Sequence, residues 1–291
     1  TAWVTDELKG MGEHSDDDLD RLLIRKHQFG IAVALVALPV TIVVGELVSV
    51  RWAGLTLGVI QILMGGYFYV ALREDHFVPG YAKDRGFFET LREGVASVRG
   101  TPRLRMLVLV IVALDMGAEG FDRLGYKHLL DSGSIDDGSL LVLGALFIAM
   151  AFAGLAVNAV AGRVLESGYG VARLAVVLLA VAAIGGALAS VTSIVVVIAI
   201  GYMMQDSTRE ALWPVLDGWA NRDAPSQVRA TVHSLMGQAT AIAQLVGGLM
   251  LGAIAELTSI PIVLGISAGL FGLSSVLATR GVVRRPTQTS Y

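Results

Sequence analysis

The sequence predicts an all-α integral membrane protein, and three observations carry that prediction. Of its 291 residues, 54% are hydrophobic and only 16% are charged, where soluble chains carry about 25% charged residues. The mean hydropathy is +0.67. The uncharged residues also fall into runs that match a bilayer, since a helix needs roughly 20 mostly apolar residues to cross a ~30 Å hydrocarbon core. The 22 basic and 25 acidic residues give a net charge of −3, so no polybasic surface points to nucleic acid. The chain has no cysteine, which removes disulfide frameworks, thiolate zinc sites and cysteine nucleophiles together.

Each span follows from its own run. Gln28 to Gly45 is uncharged and continues past Glu46 to Val50, and Trp52 to Leu72 is a second uncharged run. Met106 to about Phe121 is a third apolar segment, interrupted by Asp115 and Glu119, and Gly138 to Gly162 is a fourth. Leu174 to Gln205 carries no charge for 32 residues, about 48 Å as one helix. That is too long for one crossing. The run breaks at Ser190-Val191-Thr192-Ser193, giving spans near 171–189 and 193–215. Ala230 to Ala255 and Leu257 to Thr279 complete a set of eight, separated at Thr258-Ser259 with Pro261 just inside the last helix.

The basic residues orient these spans. With residues 1–28 in the cytoplasm, all but three of the 22 basic residues fall on cytoplasmic segments or at the nearer span end, the exceptions being Arg51, Arg123 and Lys127. The positive-inside rule favours this arrangement, which places the C-terminus in the cytoplasm. Two spans precede the one long connection and six follow it. The expected organisation is therefore a first part over 1–72, a cytoplasmic linker over 73–105 and a six-helix bundle over 106–291. Within the linker, Phe87, Phe88, Leu91, Val95 and Val98 recur near helical spacing, with Arg85, Glu89, Arg92 and Glu93 between them. That pattern predicts an amphipathic helix on the cytoplasmic membrane surface.

Six spans after a long cytoplasmic linker match the second half of a transporter built from two six-helix repeats, and local sequence points the same way. Gly117-Ala118-Glu119-Gly120-Phe121-Asp122-Arg123-Leu124, followed by His128-Leu129-Leu130, resembles the seventh helix of the drug:proton antiporter branch of the major facilitator superfamily (MFS). The segment Trp213-Pro214-Val215-Leu216-Asp217-Gly218-Trp219-Ala220-Asn221, with Val228-Arg229-Ala230-Thr231-Val232-His233-Ser234-Leu235, is similar to that branch between its tenth and eleventh helices. The opening Ala2-Trp3-Val4-Thr5-Asp6-Glu7-Leu8 is similar to the end of its fourth helix. The resemblance implies an MFS-type helical bundle running from the end of helix four to helix twelve, so a fragment of a longer protein is expected. It also implies proton-coupled efflux of a small, drug-like molecule by alternating access. The fifth helix carries Ala37-Leu38-Pro39 and a lone Gly45 in place of the Gly-Pro pair often found in the family's antiporters. A uniporter or symporter on the same fold, or a non-transporting membrane sensor or scaffold, therefore stays open.

Charges inside spans are costly and face a protein interior or a water-filled cavity. The third span places Asp115 and Glu119 four apart on one face, with Asp122 and Arg123 a turn later near the external end. The sixth span places Asp206, Arg209 and Glu210 on one face, where Asp206 or an acid of the third span would neutralise Arg209. By the resemblance these two spans line the central cavity, so Asp115, Glu119, Asp206, Arg209 and Glu210 are the candidates for the substrate cavity and proton coupling. A carboxyl in a poorly solvated cavity is a usable proton carrier. The alternative is a static ion-pair network that pins two helices together. Asp122 and Arg123 read as a boundary salt bridge, and Glu46 as a residue at an external helix end. Gly237, Gly247, Gly248 and Gly252 mark the seventh span, with Gly248 and Gly252 as a small-xxx-small packing face.

Gly265-Ile266-Ser267-Ala268-Gly269 fits the nucleophile pattern G-x-S-x-G, but that motif needs a strand–turn–helix setting and here lies inside an apolar helix. Enzymatic activity is not expected. Asp131, Asp136 and Asp137 lack the spacing of a calcium loop. His14, His27, His76 and His128 form no metal pair. The chain has no phosphate-binding Gly-Lys-Ser/Thr motif, so ATP is not expected to drive it directly. The expectation is a monomer in the cell membrane that needs no cofactor or metal, with a small-molecule substrate, protons and the lipid bilayer as partners.

Overall fold

The computed structural model describes residues 47–71, 87–133, 140–225 and 228–283, with isolated positions between 25 and 45. Ala2 to Leu8, Glu46, residues 73–86 of the linker, Asp136, Asp137, Arg284 and Arg285 lie outside the described residues. Among the described residues every regular element is a helix. In order they are α1 (Val50–Ala71), α2 (Phe87–Gly100), α3 (Pro102–Ser132), α4 (Leu140–Glu166), α5 (Val171–Ser190), α6 (Val195–Asp223), α7 (Arg229–Leu257) and α8 (Ile260–Val283). A turn at Val48–Ser49 precedes α1, and the described positions between 28 and 47 are helical.

Helix boundaries follow local chemistry. Pro102 lies in the first turn of α3 behind Thr101, where its fixed φ suits helix initiation and its missing N–H costs nothing. The helix therefore starts four residues before Met106 and takes Arg103 and Arg105 into its first turn. It also outruns the predicted apolar segment, reaching Ser132. The added turns are polar but helix-compatible, with Lys127 Nζ 3.0 Å from Asp131 Oδ2 one turn on. The break between α5 and α6 falls at residues 191–194, where Thr192 Oγ1 accepts the Ile194 amide at 3.0 Å. Beyond the predicted end near residue 215, α6 runs through Pro214 to Asp223.

Among the described residues, four helices contain segments long and apolar enough to cross a membrane: Gly144–Glu166 in α4, Val171–Ser190, Arg229–Leu257 and Ile260–Val282 in α8. A shorter apolar helix, Gly54–Tyr67, lies within α1. With 31 and 29 residues, α3 and α6 are equally long but carry charges inside. The exposed side chains of these helices include Ile242, Leu245, Leu249 and Met250 on α7 and Phe152 and Val160 on α4. An apolar exterior on long helices is stable in hydrocarbon, where every backbone group is satisfied within the helix. The chain is a membrane-embedded helical protein.

The packed centre is α3, α5, α6 and α8, with α7 laid on α3 and α4 on α6. Phe121 stacks between Tyr202 of α6 and Phe271 of α8, with ring centroids 6.2 and 5.9 Å apart. Serine hydroxyls tie α8 to its neighbours: Ser274 donates to the Val110 carbonyl at 2.8 Å and Ser275 to the Val176 carbonyl at 2.9 Å. The α5–α6 crossing uses two glycines. A Cβ on Gly185 would sit 2.7 Å from the Gly201 carbonyl, and one on Gly201 would sit 2.5 Å from the Gly185 carbonyl, so the α5 and α6 backbones touch directly. The predicted amphipathic helix is present as α2 and packs on α7 and α3, with Gly94 buried against Thr231.

Candidate functional site

The predicted site residues divide between two sides of α3. On the side facing α7, Asp115 is almost fully buried, 2% exposed. Its carboxyl shares a hydrogen bond with the Thr240 side chain, while Oδ2 is buried without a hydrogen-bond partner among the described residues. One turn on, Glu119 Oε2 lies 2.6 Å from Arg123 Nε. This pair abuts Gly248 of α7, where a Cβ would stand 3.0 Å from Glu119 Oε2. The periodicity of α3 thus delivers Asp115 and Glu119 to one face, as their spacing requires.

On the side facing α6, Arg209 Nη2 donates to Asp122 Oδ1 at 2.7 Å and lies 3.7 Å from Asp206 Oδ1. The guanidinium thereby joins α3 to α6 through two carboxylates. Both expected partners are present, one from its own helix and one from α3, and the acid of α3 that reaches it is Asp122. From spacing, Asp122 and Arg123 read as a boundary salt bridge, but in the structure Asp122 pairs with Arg209 and Arg123 with Glu119. Helix rotation settles the matter: Arg123 turns back to Glu119, freeing Asp122 for α6. Glu210 acts electrostatically on both Asp206 and Arg209, and Asp115 in turn feels Arg209, Asp122 and Glu119. The groups make one field, with five carboxyls and two guanidiniums.

Other residues around this network carried no motif. Thr240 is one of three hydroxyl residues on α7, with Thr231 and Ser234. Gln205, fully buried, has neither end of its amide hydrogen-bonded among the described residues. Toward the far end of α3, His128 Nε2 lies 3.1 Å from the Ala189 carbonyl; a carbonyl only accepts, so Nε2 carries the proton. His233 of α7 contacts Asn221 Oδ1 through Nε2 at 2.8 Å and Asp217 Oδ1 through Nδ1 at 3.5 Å, linking α7 to α6.

Two sequence readings change in three dimensions. The glycine face of α7 is Gly247 and Gly248, not Gly248 and Gly252. A Cβ on Gly247 would lie 2.8 Å from Met116 Cα, whereas one on Gly252 meets nothing within 4 Å. Ser267, the centre of the nucleophile-like motif, is fully buried and faces Gly117 and Gly120 of α3, a packing position. Among the described residues no three His, Cys, Asp or Glu side chains are grouped to hold a metal ion.

Comparison with known protein families finds no matching family model, and comparison with curated proteins finds no match.

Proposed function

We propose that the chain is most of a secondary active transporter of the MFS type, with eight spans, that exports a small molecule in exchange for protons. The observation that carries this reading is the acid cluster on α3 and α6. Among the described residues, five carboxyls and two guanidiniums lie together inside a membrane-embedded bundle, and intramembrane acids of this kind mark ion and proton pathways. Asp115 is the leading proton carrier because it is buried and hydrogen-bonds to a hydroxyl, with no ion pair at contact distance among the described residues, whereas Glu119 has Arg123 beside it. Arg209 holds α3 and α6 together on the opposite side, a tie within one bundle that keeps it rigid as the two bundles rock against each other. Residues 1–72 belong to the first bundle and residues 106–291 form the second, joined by the linker at 73–105, in the cell membrane with the C-terminus in the cytoplasm.

The test is flux in proteoliposomes containing the native-length protein. An imposed pH gradient drives substrate movement, and Asp115→Asn abolishes proton uptake while the protein still folds. Substrate flux indifferent to any ion gradient contradicts the reading. If the acids are structural only, Asp115→Asn and Glu119→Gln lower stability and leave proton uptake unchanged. The fifth-helix departure at Ala37-Leu38-Pro39 supports a uniporter or symporter as the second reading, and the direction of flux under the gradient separates it from the antiporter.

A further inference from the structure

A second cluster of titratable groups lies where α6 ends and α7 begins, about two turns along α6 from Arg209. Residues 224–228 join the two helices, yet α7 rests mainly on α3 and meets α6 only lightly. His233 makes a contact that ties them. Its Nε2 lies 2.8 Å from Asn221 Oδ1 and its Nδ1 lies 3.5 Å from Asp217 Oδ1. Asp217 and Asn221 are four apart, so one face of α6 presents both oxygens. The ring is enclosed but not sealed: 14% of its side chain is exposed, enough to exchange a proton with water. A neutral imidazole has one N–H and can donate to only one of two oxygens, whereas the imidazolium donates to both. Protonation therefore adds a bond between α7 and α6, and its loss removes one. Imidazole is also the side chain whose ordinary titration falls between about pH 5 and 8.

The charged surroundings of the ring come from each neighbouring element. On α7, Arg229 stands one turn earlier on the same side and is buried. On α6, Arg222 follows Asn221 and is exposed, and Asp223 is held by Arg103 of α3 at 3.1 Å. Arg280 near the end of α8 is exposed. The helix α2 packs on the other side of α7, where Gly94 meets Thr231 and Leu235, each two residues from His233 and so across the helix from it. The charges of α2, Glu89, Arg92, Glu93 and Arg99, thus lie on the far side of α7 from the ring. The consequences of the contact run inward along one face. Thr240, about two turns beyond His233 on the same side, hydrogen-bonds to Asp115. Gly247, about two turns further, seats on Met116 of α3. The first turns of α7 therefore set the line on which the rest of its buried face meets α3.

We infer that His233 is a proton-operated latch. Its imidazolium clasps Asp217 and Asn221 and fixes the start of α7 on α6; its neutral form releases one of the two and lets α7 tilt on α3. The inference rests on this junction alone and holds whether or not the chain transports. The test uses the full chain in detergent, with nitrogen-15 in its five histidines. A second preparation carries spin labels at Ser167→Cys and Gln238→Cys, which are then the only thiols, since the chain has no cysteine. At about pH 5.5 the histidine signals that vanish in His233→Gln show both ring nitrogens protonated, and at about pH 8.5 only Nε2. Between those values the label distance shifts by about 2 Å, and His233→Gln removes that dependence. Asp217→Asn keeps the ring and deletes the ionised acceptor; it roughly halves the shift, because a charge-assisted bond is about twice as strong as a neutral one. If His233→Gln does not fold, the parent distance and Asp217→Asn decide the matter. A ring with one proton on Nδ1 throughout, the Asn221 amide donating into Nε2, overturns the inference. So does a label distance that ignores pH, or one that follows pH equally in His233→Gln or undiminished in Asp217→Asn.

Discussion

Asp122 and Asp223 show how much a single carboxylate's role depends on what packs beside it. Asp122 and Arg123 are sequence neighbours of opposite charge, yet each finds its partner elsewhere, Asp122 with Arg209 and Arg123 with Glu119. Because Asp122 is 41% exposed at its side chain, the pair with Arg209 has a modest strength. A double-mutant cycle of Asp122→Asn and Arg209→Gln should give a coupling of about 1 kcal/mol; a cycle closing to zero would mean that the contact contributes nothing. Asp223 lies past the membrane-spanning part of α6, and burial pushes its carboxyl above the usual carboxylate range, outweighing the pull of Arg103 and the Trp219 hydrogen bond. The folded state then binds this proton more tightly than the unfolded chain does. Its contribution to stability is present below the unfolded pKa and is lost as pH rises through the folded value. Asp223→Asn should therefore gain on the parent chain as pH rises from about 4 to about 8, as read by thermal unfolding. A difference that stays flat across that window contradicts the shift. The same corner holds Trp219, fully buried with Gly281 against its six-membered ring. A methyl there has no room, and Gly281→Ala should cost about 1–3 kcal/mol.

At the scale of elements, glycine placement decides which helices touch. Gly185 and Gly201 bring α5 and α6 into backbone contact, and Gly247 does the same for α7 against Met116 of α3. Between membrane helices such approach replaces the hydrophobic drive that lipid removes. Gly247→Val should push α7 off α3, lower the melting midpoint in detergent and disturb Asp115, whose partner Thr240 sits on α7. Gly252→Val, with open space around it, should leave the midpoint near the parent value. Equal effects at the two positions would show that the helix contact does not run through Gly247. The same reasoning explains why α7 is the least enclosed of the long apolar helices: one face seats on α3 and the rest is apolar and exposed.

For the whole molecule, the arrangement of charge gives orientation its physical handle. The ends holding Arg103, Arg163, Arg173, Arg222 and Arg280 belong to alternate helix termini, so antiparallel packing gathers them at one end of the bundle. Cytoplasmic placement of that end is testable without background, because the chain has no cysteine. Single cysteines at Ser167 and at Thr258 should react with a membrane-impermeant thiol reagent from opposite sides, Ser167→Cys from the cytoplasmic side. Labelling of both from one side would break the proposed topology.

Much of the helical plan was legible in residue order. Hydrophobic runs need no tertiary context to report their length, so the break at residues 191–194, the start of α8 beside Pro261 and the membrane character followed from composition and punctuation alone. The facing of Asp115 and Glu119 was legible for the same reason, since helical periodicity is a local property. Residue order could not say which neighbour each face meets. The assignment of Asp122 to Arg209, of Thr240 to Asp115 and of Gly247 to Met116 depends on the rotation and crossing of helices far apart in sequence. Those are fixed by where small residues let backbones approach, not by the periodicity of any one helix. The His233 junction was hidden for a further reason: the ring stands on α7 and both its acceptors on α6, and only the return of α7 beside α6 brings them within reach.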